Sequence, residues 1–152
     1  MATRATQIFG SQMTDFVIDA NVLMSILISG KASYRPILSF NRFIMPDFVL
    51  VEVEKYSHTL KSKTSMSEEQ LVRWTYFVFT QCTILPHYVI DKENIAKAGQ
   101  LVTHIDVKDM SYVALAIQLN LPLLTRDNVL YEGLRKQGLR TVILFEDFLR
   151  TL

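Results

Sequence analysis

The sequence predicts an α/β fold with a central, mainly parallel sheet of about five strands and helices on both of its faces. Three observations carry this expectation. Short apolar runs recur at residues 16–18, 43–45, 83–85, 121–125 and 141–145. Stretches of helical periodicity separate them, and strands joined through helices make right-handed crossovers in a mainly parallel sheet. The first run, Phe16-Val17-Ile18, is too short and too uniformly apolar for an exposed edge and suits a central strand buried on both faces.

Taken in order, the first strand stops at Asp19, and Asp19 or Asn21 can cap a helix starting near Val22. Ser29-Gly30-Lys31 breaks that helix, and Pro36 suits the first turn of a second short one. Phe43-Ile44-Met45 makes the second strand, ended by Pro46, with Asp47 as the expected N-cap of the next helix. There Val49, Val53, Tyr56 and Leu60 recur at helical spacing as one apolar stripe. Glu52 lies beside the stripe, while Glu54 and Lys55 fall on the wetter side. Residues 61–67 read as a hairpin turn, and Ser67-Glu68-Glu69-Gln70 is a capping box opening a helix that continues through Leu71, Trp74 and Val78. Trp74, Phe77 and Phe79 are read as core residues before an interface. The third strand, 83–85, is stopped by Pro86. A helix over 92–102 is expected to be capped by Asp91. Asp106-Val107-Lys108-Asp109 opens another, with Met110, Val113, Ala114, Ile117 and Leu121 as its core stripe. The fourth strand follows at 121–125, then a helix capped by Asp127 or Asn128 and ending at Gly138, the fifth strand, and a closing amphipathic turn over 146–152. Residues 1–14 lack hydrophobic periodicity and are expected to be a loose extension before a single domain over 15–152.

The 152 residues, 49% of them hydrophobic, are enough for one core without covalent staples. Cys82 stands alone, and His58, His87 and His104 lie far from it and from one another. That excludes the usual zinc spacings and suggests a reducing, cytoplasmic setting. No apolar stretch approaches the roughly 20 residues of a membrane span, so a soluble protein is expected. Sixteen Lys and Arg against fifteen Asp and Glu create no strong global field, so nucleic-acid binding would need a local basic patch. Lys31, Arg35, Lys55 and Arg126 are candidates for phosphate contacts.

Chemistry is concentrated in acids. Asp19 follows the first strand and Asp127 follows the fourth, so two parallel strands deliver carboxylates to one edge of the sheet, where open α/β folds bind ligands. Asp106 and Asp109 share a first helical turn; capping explains Asp106, whereas Asp109 flanks the buried stripe. Carboxylates crowded together repel and raise one another's pKa unless a cation sits among them. Oxygen-only donors favour magnesium or manganese, and such a site can activate water and neutralise a phosphodiester.

Four segments resemble the signature segments of the PIN-domain nucleases, in the family's order: V-I-D-A-N-V ending at Val22, P-D-F-V-L-V-E-V-E-K-Y from Pro46, D-V-K-D-M-S-Y-V-A-L-A from Asp106, and L-T-R-D ending at Asp127. The resemblance covers nearly all of the chain from Asp15 to Leu152. It implies a three-layer α/β/α fold and an acidic pocket binding Mg2+ or Mn2+. Carried over by position, Asp19, Glu52, Asp109 and Asp127 are the catalytic and metal-binding acids, with Asn21 and Thr125 as supporting polar residues. Glu52 is preferred to Glu54 because it borders the stripe and keeps the family's spacing from Pro46.

The function this implies is a metal-dependent endoribonuclease. Many small members of the family are VapC-type toxins, so the partners implied are an RNA substrate, a protein antitoxin and a second copy in a homodimer. The alternative is a non-catalytic RNA-binding or scaffolding module, against which the full acid quartet argues. The haloacid-dehalogenase phosphatases want a second Asp where this chain has Asn21, and receiver domains want a lysine after the fifth strand, which Phe145-Glu146 does not offer.

Overall fold

The computed structural model describes residues 14–152. Five strands, β1 (Thr14–Ile18), β2 (Asn41–Pro46), β3 (Cys82–Leu85), β4 (Leu123–Thr125) and β5 (Val142–Leu144), form one sheet in the order β3-β2-β1-β4-β5. Every neighbouring pair is parallel. The chain winds outward from β1 through β2 to β3, then returns to the far side of β1 for β4 and β5. The order therefore reverses between β1 and β4, and a crevice opens at such a switch point beyond the carboxyl ends of the strands.

The expected three-layer α/β/α arrangement is what the helices build. On one side α1 (Ala20–Ser29) packs on α3 (Phe48–Lys55), α4 (Ser57–Lys63) and α5 (Glu68–Gln81). A second group joins α6 (Lys92–Val102), α7 (Met110–Leu119) and α8 (Asn128–Lys136). The remaining helices are α2 (Tyr34–Phe40), before β2, and α9 (Phe145–Arg150), which directly follows β5. The core is continuous. Val17, Ile18, Leu23, Ile26, Phe43, Met45, Val113, Leu115, Leu123 and Leu124 are fully enclosed, each such large aliphatic or aromatic side chain contributing about 1.5–3 kcal/mol by leaving water. Trp74 belongs to this core, and its indole Nε1 donates to the Ile26 carbonyl at 2.9 Å, tying α5 to α1. Phe77 and Phe79 pack against the core half-buried.

Local chemistry sets most boundaries as expected. The Ser67 hydroxyl accepts from Gln70 N while Gln70 Oε1 accepts from Ser67 N, a complete capping box. Four expectations need correction. The helix after Pro46 is not one unit: it breaks at Tyr56, whose backbone (φ −100°, ψ 12°) leaves the helical range, and α4 resumes to Lys63 so that the turn shortens to residues 64–67. Tyr56, four residues after Glu52 and on its helix face, does not join the buried stripe and is 37% exposed. Asp47 does not cap α3 with its side chain, because its own backbone is already helical (φ −62°, ψ −19°). Asp91 does not cap α6 either; its Oδ2 accepts instead from Gln118 Nε2 at 3.2 Å, linking α6 to α7. The helix opened by Asp106 starts as a tight 3-10 turn, Val107–Asp109, before α7 proper. β1 begins at Thr14; the loose extension expected over the rest of 1–14 lies outside the described residues. Among the described residues, no helix is long and apolar enough to cross a membrane.

Gly30 ends α1 in the left-handed conformation (φ 59°), and a Cβ there would meet the Met66 thioether. Gly30→Ala is expected to lower unfolding free energy by about 1–2 kcal/mol, the cost of a left-handed L residue. Denaturant melts check this, and a variant as stable as the parent would show that α1 can end otherwise.

Candidate functional site

Four acids from four separated elements line one small cleft at the carboxyl end of the sheet, together with Ala20, Asn21, Met24, Tyr56, Lys108 and Tyr112. They are Asp19, Glu52, Asp109 and Asp127. Asp19 is 2% exposed. It caps α1, with Oδ1 accepting from Val22 N at 3.0 Å, and its Oδ2 accepts from the buried Thr125 hydroxyl. That hydroxyl in turn accepts from Asp127 N at 3.0 Å. A relay of polar groups therefore spans the gap between β1 and β4. Asp127 caps α8, its Oδ1 accepting from Val129 N and Leu130 N at 2.9 and 3.2 Å. Both strand-end acids thus cap helices, and capping still leaves carboxylate lone pairs turned to the cleft.

Glu52 is buried on α3 and accepts a short hydrogen bond from the Tyr112 hydroxyl of α7. Glu54 is exposed and does not line the cleft. Asp109, 8% exposed at the start of α7, differs from the other three: its Oδ2 is buried without a hydrogen-bond partner among the described residues. Asp106 plays the expected capping role, its Oδ1 accepting from Lys108 N at 3.1 Å. Asn21 stands exposed at the cleft edge, whereas Thr125 is fully buried beneath it.

The carboxyls carry the electrostatic cost of this arrangement. Burial pushes Asp19 up to about 6, against the lowering effect of its bonds from Thr125 and Val22, and the charges of Asp127 and Glu52 add to the rise. Burial likewise pushes Asp109 up to about 7, helped by the charges of Asp106, Asp19 and Asp127. Loss of water is thus the larger cause, and the mutual repulsion expected from the sequence comes second. Burial and the Glu52 bond together hold the Tyr112 hydroxyl well above its usual range, so it remains a donor.

The model of the PIN domain matches residues 17–145. The chain belongs to the PIN-domain family. Two solved structures have a similar fold. PAE2754 from Pyrobaculum aerophilum is 16% identical, with a TM-score of 0.64 over 94% of this chain and 92% of that one. VapBC2 from Rickettsia felis, solved bound to a DNA fragment from its promoter, is 15% identical, with a TM-score of 0.55 over 86% of this chain and 97% of that one. No curated protein matches the sequence.

Within this PIN domain the donors suit a hard divalent cation. All are oxygens, two of the carboxyls hold protons more tightly than free ones, and Asp109 Oδ2 is a buried acceptor with nothing to accept from. Among the described residues, no three Asp, Glu, His or Cys side chains form a ready-made metal cage. Magnesium commonly takes one or two carboxylates and fills its shell with water, so an open set is compatible with it. Sequence reasoning missed three polar lining residues, Tyr112, Lys108 and Tyr56, besides Ala20 and Met24. Tyr112 carried a usable signal, since a tyrosine in an apolar helix requires a partner for its hydroxyl. Tyr56 carried a misleading one, because the stripe pointed it inward.

The raised Asp109 pKa has a consequence for stability. Below pH 4 the carboxyl is protonated folded or unfolded and contributes nothing. Between pH 4 and 7 the unfolded chain releases the proton first, so stability falls, and above pH 7 the penalty is constant. Asp109→Asn is expected to stabilise the metal-free protein at pH 8 by about 1–3 kcal/mol, with the gain vanishing towards pH 4. Thermal melts across this range measure it; a variant less stable than the parent at pH 8 would mean the carboxylate is well paired.

Proposed function

We propose that this chain is a magnesium- or manganese-dependent endoribonuclease that hydrolyses RNA phosphodiester bonds. The observation that carries the reading is the convergence of Asp19, Glu52, Asp109 and Asp127 on one cleft despite the cost of burying the first three. A binding module for RNA gains nothing from a hollow that repels phosphate, whereas a nuclease that admits a cation does. In this reading Asp19 and Asp109 are the principal cation donors. Glu52 and Asp127 hold water in the cleft. The bound ion would supply positive charge for the phosphodiester and acidify a water for attack on phosphorus.

The protein's own residues do the positioning. Val22 N–H and the Thr125 hydroxyl grip both oxygens of Asp19 and fix its rotamer. Tyr112 does the same for one oxygen of Glu52. Asn21, exposed on the edge, would donate its amide to a phosphate oxygen. Enclosure of the carboxylates raises the effect of every charge in the cleft, because little water is left to screen it.

Purified protein with Mg2+ or Mn2+ is expected to cleave single-stranded RNA, and Asp19→Asn to reduce the rate at least 100-fold, as loss of a principal electrostatic group does. Equal activity in that variant would assign the cleavage to a contaminant or another site. Absence of divalent binding by calorimetry would favour the non-catalytic module instead.

The small single-domain size and the fold shared with VapBC2 support a finer reading, the toxin of a type II toxin-antitoxin pair. Its partners would be a protein antitoxin and, as a homodimer, a second copy; its setting would be the cytoplasm. Expression is then expected to arrest growth, and Asp109→Ala to relieve the arrest with equal protein levels. Continued arrest by the variant would separate toxicity from the acid cleft.

A further inference from the structure

The cleft has a rim as well as an acidic floor. Lys108 lines it from the 3-10 turn before α7, and Tyr56 lines it from the break between α3 and α4. Both are exposed, with the Lys108 side chain at 54% and Tyr56 at 37%. Lys108 Nζ rests 3.4 Å from Asp106 Oδ2, an acid that also accepts from Lys108 N and so fixes the turn that carries the lysine. Lys55 Nζ lies 5.4 Å from the centre of the Tyr56 ring. An ammonium and an aromatic ring therefore line the cleft with the four carboxylates, and a second ammonium lies against the ring.

Neither rim residue has a structural explanation of its position. Tyr56 follows Glu52 by four residues and so shares its helix face, but its ring joins neither the core nor, among the described residues, a hydrogen bond: it stands part-exposed at the cleft where α3 ends. The Lys108–Asp106 pair is solvent-exposed, and such pairs contribute little to stability. It leaves an ammonium next to a cleft whose other charged lining groups are all acids.

Resting on the nuclease reading above, we propose that Lys108 and Tyr56 are the substrate-positioning pair of this site: Lys108 binds a phosphate flanking the scissile bond and Tyr56 stacks on the neighbouring base. A base offers its face to a protein ring only when unstacked from its neighbours, as in the single strands that the nuclease reading already takes as substrate. Asp106 stores the lysine in the free enzyme by a weak exposed contact that a phosphate can replace.

Two measurements test this. With Mn2+ and a short single-stranded oligoribonucleotide, Lys108→Ala and Tyr56→Ala are each expected to raise KM about tenfold while kcat stays within about threefold. Lys108→Arg and Tyr56→Phe are expected to restore KM, since a cation and a ring are retained. Equilibrium binding of the same strand by fluorescence anisotropy in Ca2+ should weaken in parallel. Lys108→Ala should also flatten the slope of log affinity against log salt by about 0.7, one phosphate contact on a single strand. Unchanged melting temperatures establish that the variants fold. Unchanged KM in both alanine variants, a fall in kcat alone, or equal damage from the Arg and Phe variants overturns the proposal. If the parent binds single strands without cutting them and Lys108→Ala and Tyr56→Ala weaken that binding, the nuclease reading fails and the positioning pair stands; if the parent does neither, both fall.

Discussion

The hydrogen bond from the Thr125 hydroxyl to Asp19 is the contact on which the site depends, because it joins the carboxyl ends of β1 and β4 where the winding of the sheet reverses. Strand pairing alone would leave that seam open: β1 and β4 share only the registers Val17 with Leu123 and Ile18 with Leu124. Beyond them, Asp19 N donates to the Leu124 carbonyl, and the side chains then continue the connection through Thr125 to Asp127 N. Thr125 is fully buried, so its hydroxyl has no water to turn to. A buried hydroxyl without a partner costs roughly 1–3 kcal/mol, which makes the rotamer of Asp19 as fixed as the strands that flank it. Rigidity of this kind is what a site for a small cation requires.

The two halves of the cleft are held by different means. On the β1/β4 side the acids are tied to backbone N–H groups at helix starts, where the aligned peptide dipoles favour a negative charge. On the α3/α7 side there is no such support. Glu52 is held by one phenol, and Asp109 Oδ2 by nothing among the described residues. Burial raises the Asp19 carboxyl to about 6 even against two donors, and the Asp109 carboxyl to about 7 where Oδ2 has no donor among the described residues. Cavities of this sort are where proteins give up stability for binding, and under the proposed function a cation would remove the penalty that the unpaired carboxyls carry.

Much of this architecture was legible in the residues. The five strands, the capping box at Ser67, and Asp19 and Asp127 at strand ends follow from local pattern, because apolar runs, turns and caps are determined over a few neighbours. That Glu52 lies inward and Glu54 outward was also readable, since one borders the apolar stripe and the other faces away. What could not be read involves partners distant in sequence. Asp91 prefers Gln118 on α7 to its own helix end, and the Tyr112 hydroxyl meets an acid sixty positions away. Helical periodicity says which face of α7 is buried, not what stands opposite it. Tyr56 is the instructive failure: its spacing fits the stripe, yet the helix breaks there and the ring leaves the core.

That failure and the acid cleft are connected. Sequence rules fail where a position is shaped by a requirement other than local stability, and such positions gather at functional sites. Here three departures meet in one place: buried carboxylates without full pairing, a helix interrupted inside an apolar stripe, and an exposed lysine held by an acid that also caps its own turn. A fold selected for stability alone would fill the cleft with an apolar side chain. In the proposed reading a cation would account for the acids and a strand of nucleic acid for the rim, because a polyanion is repelled by the floor of this cleft until something positive lies between them.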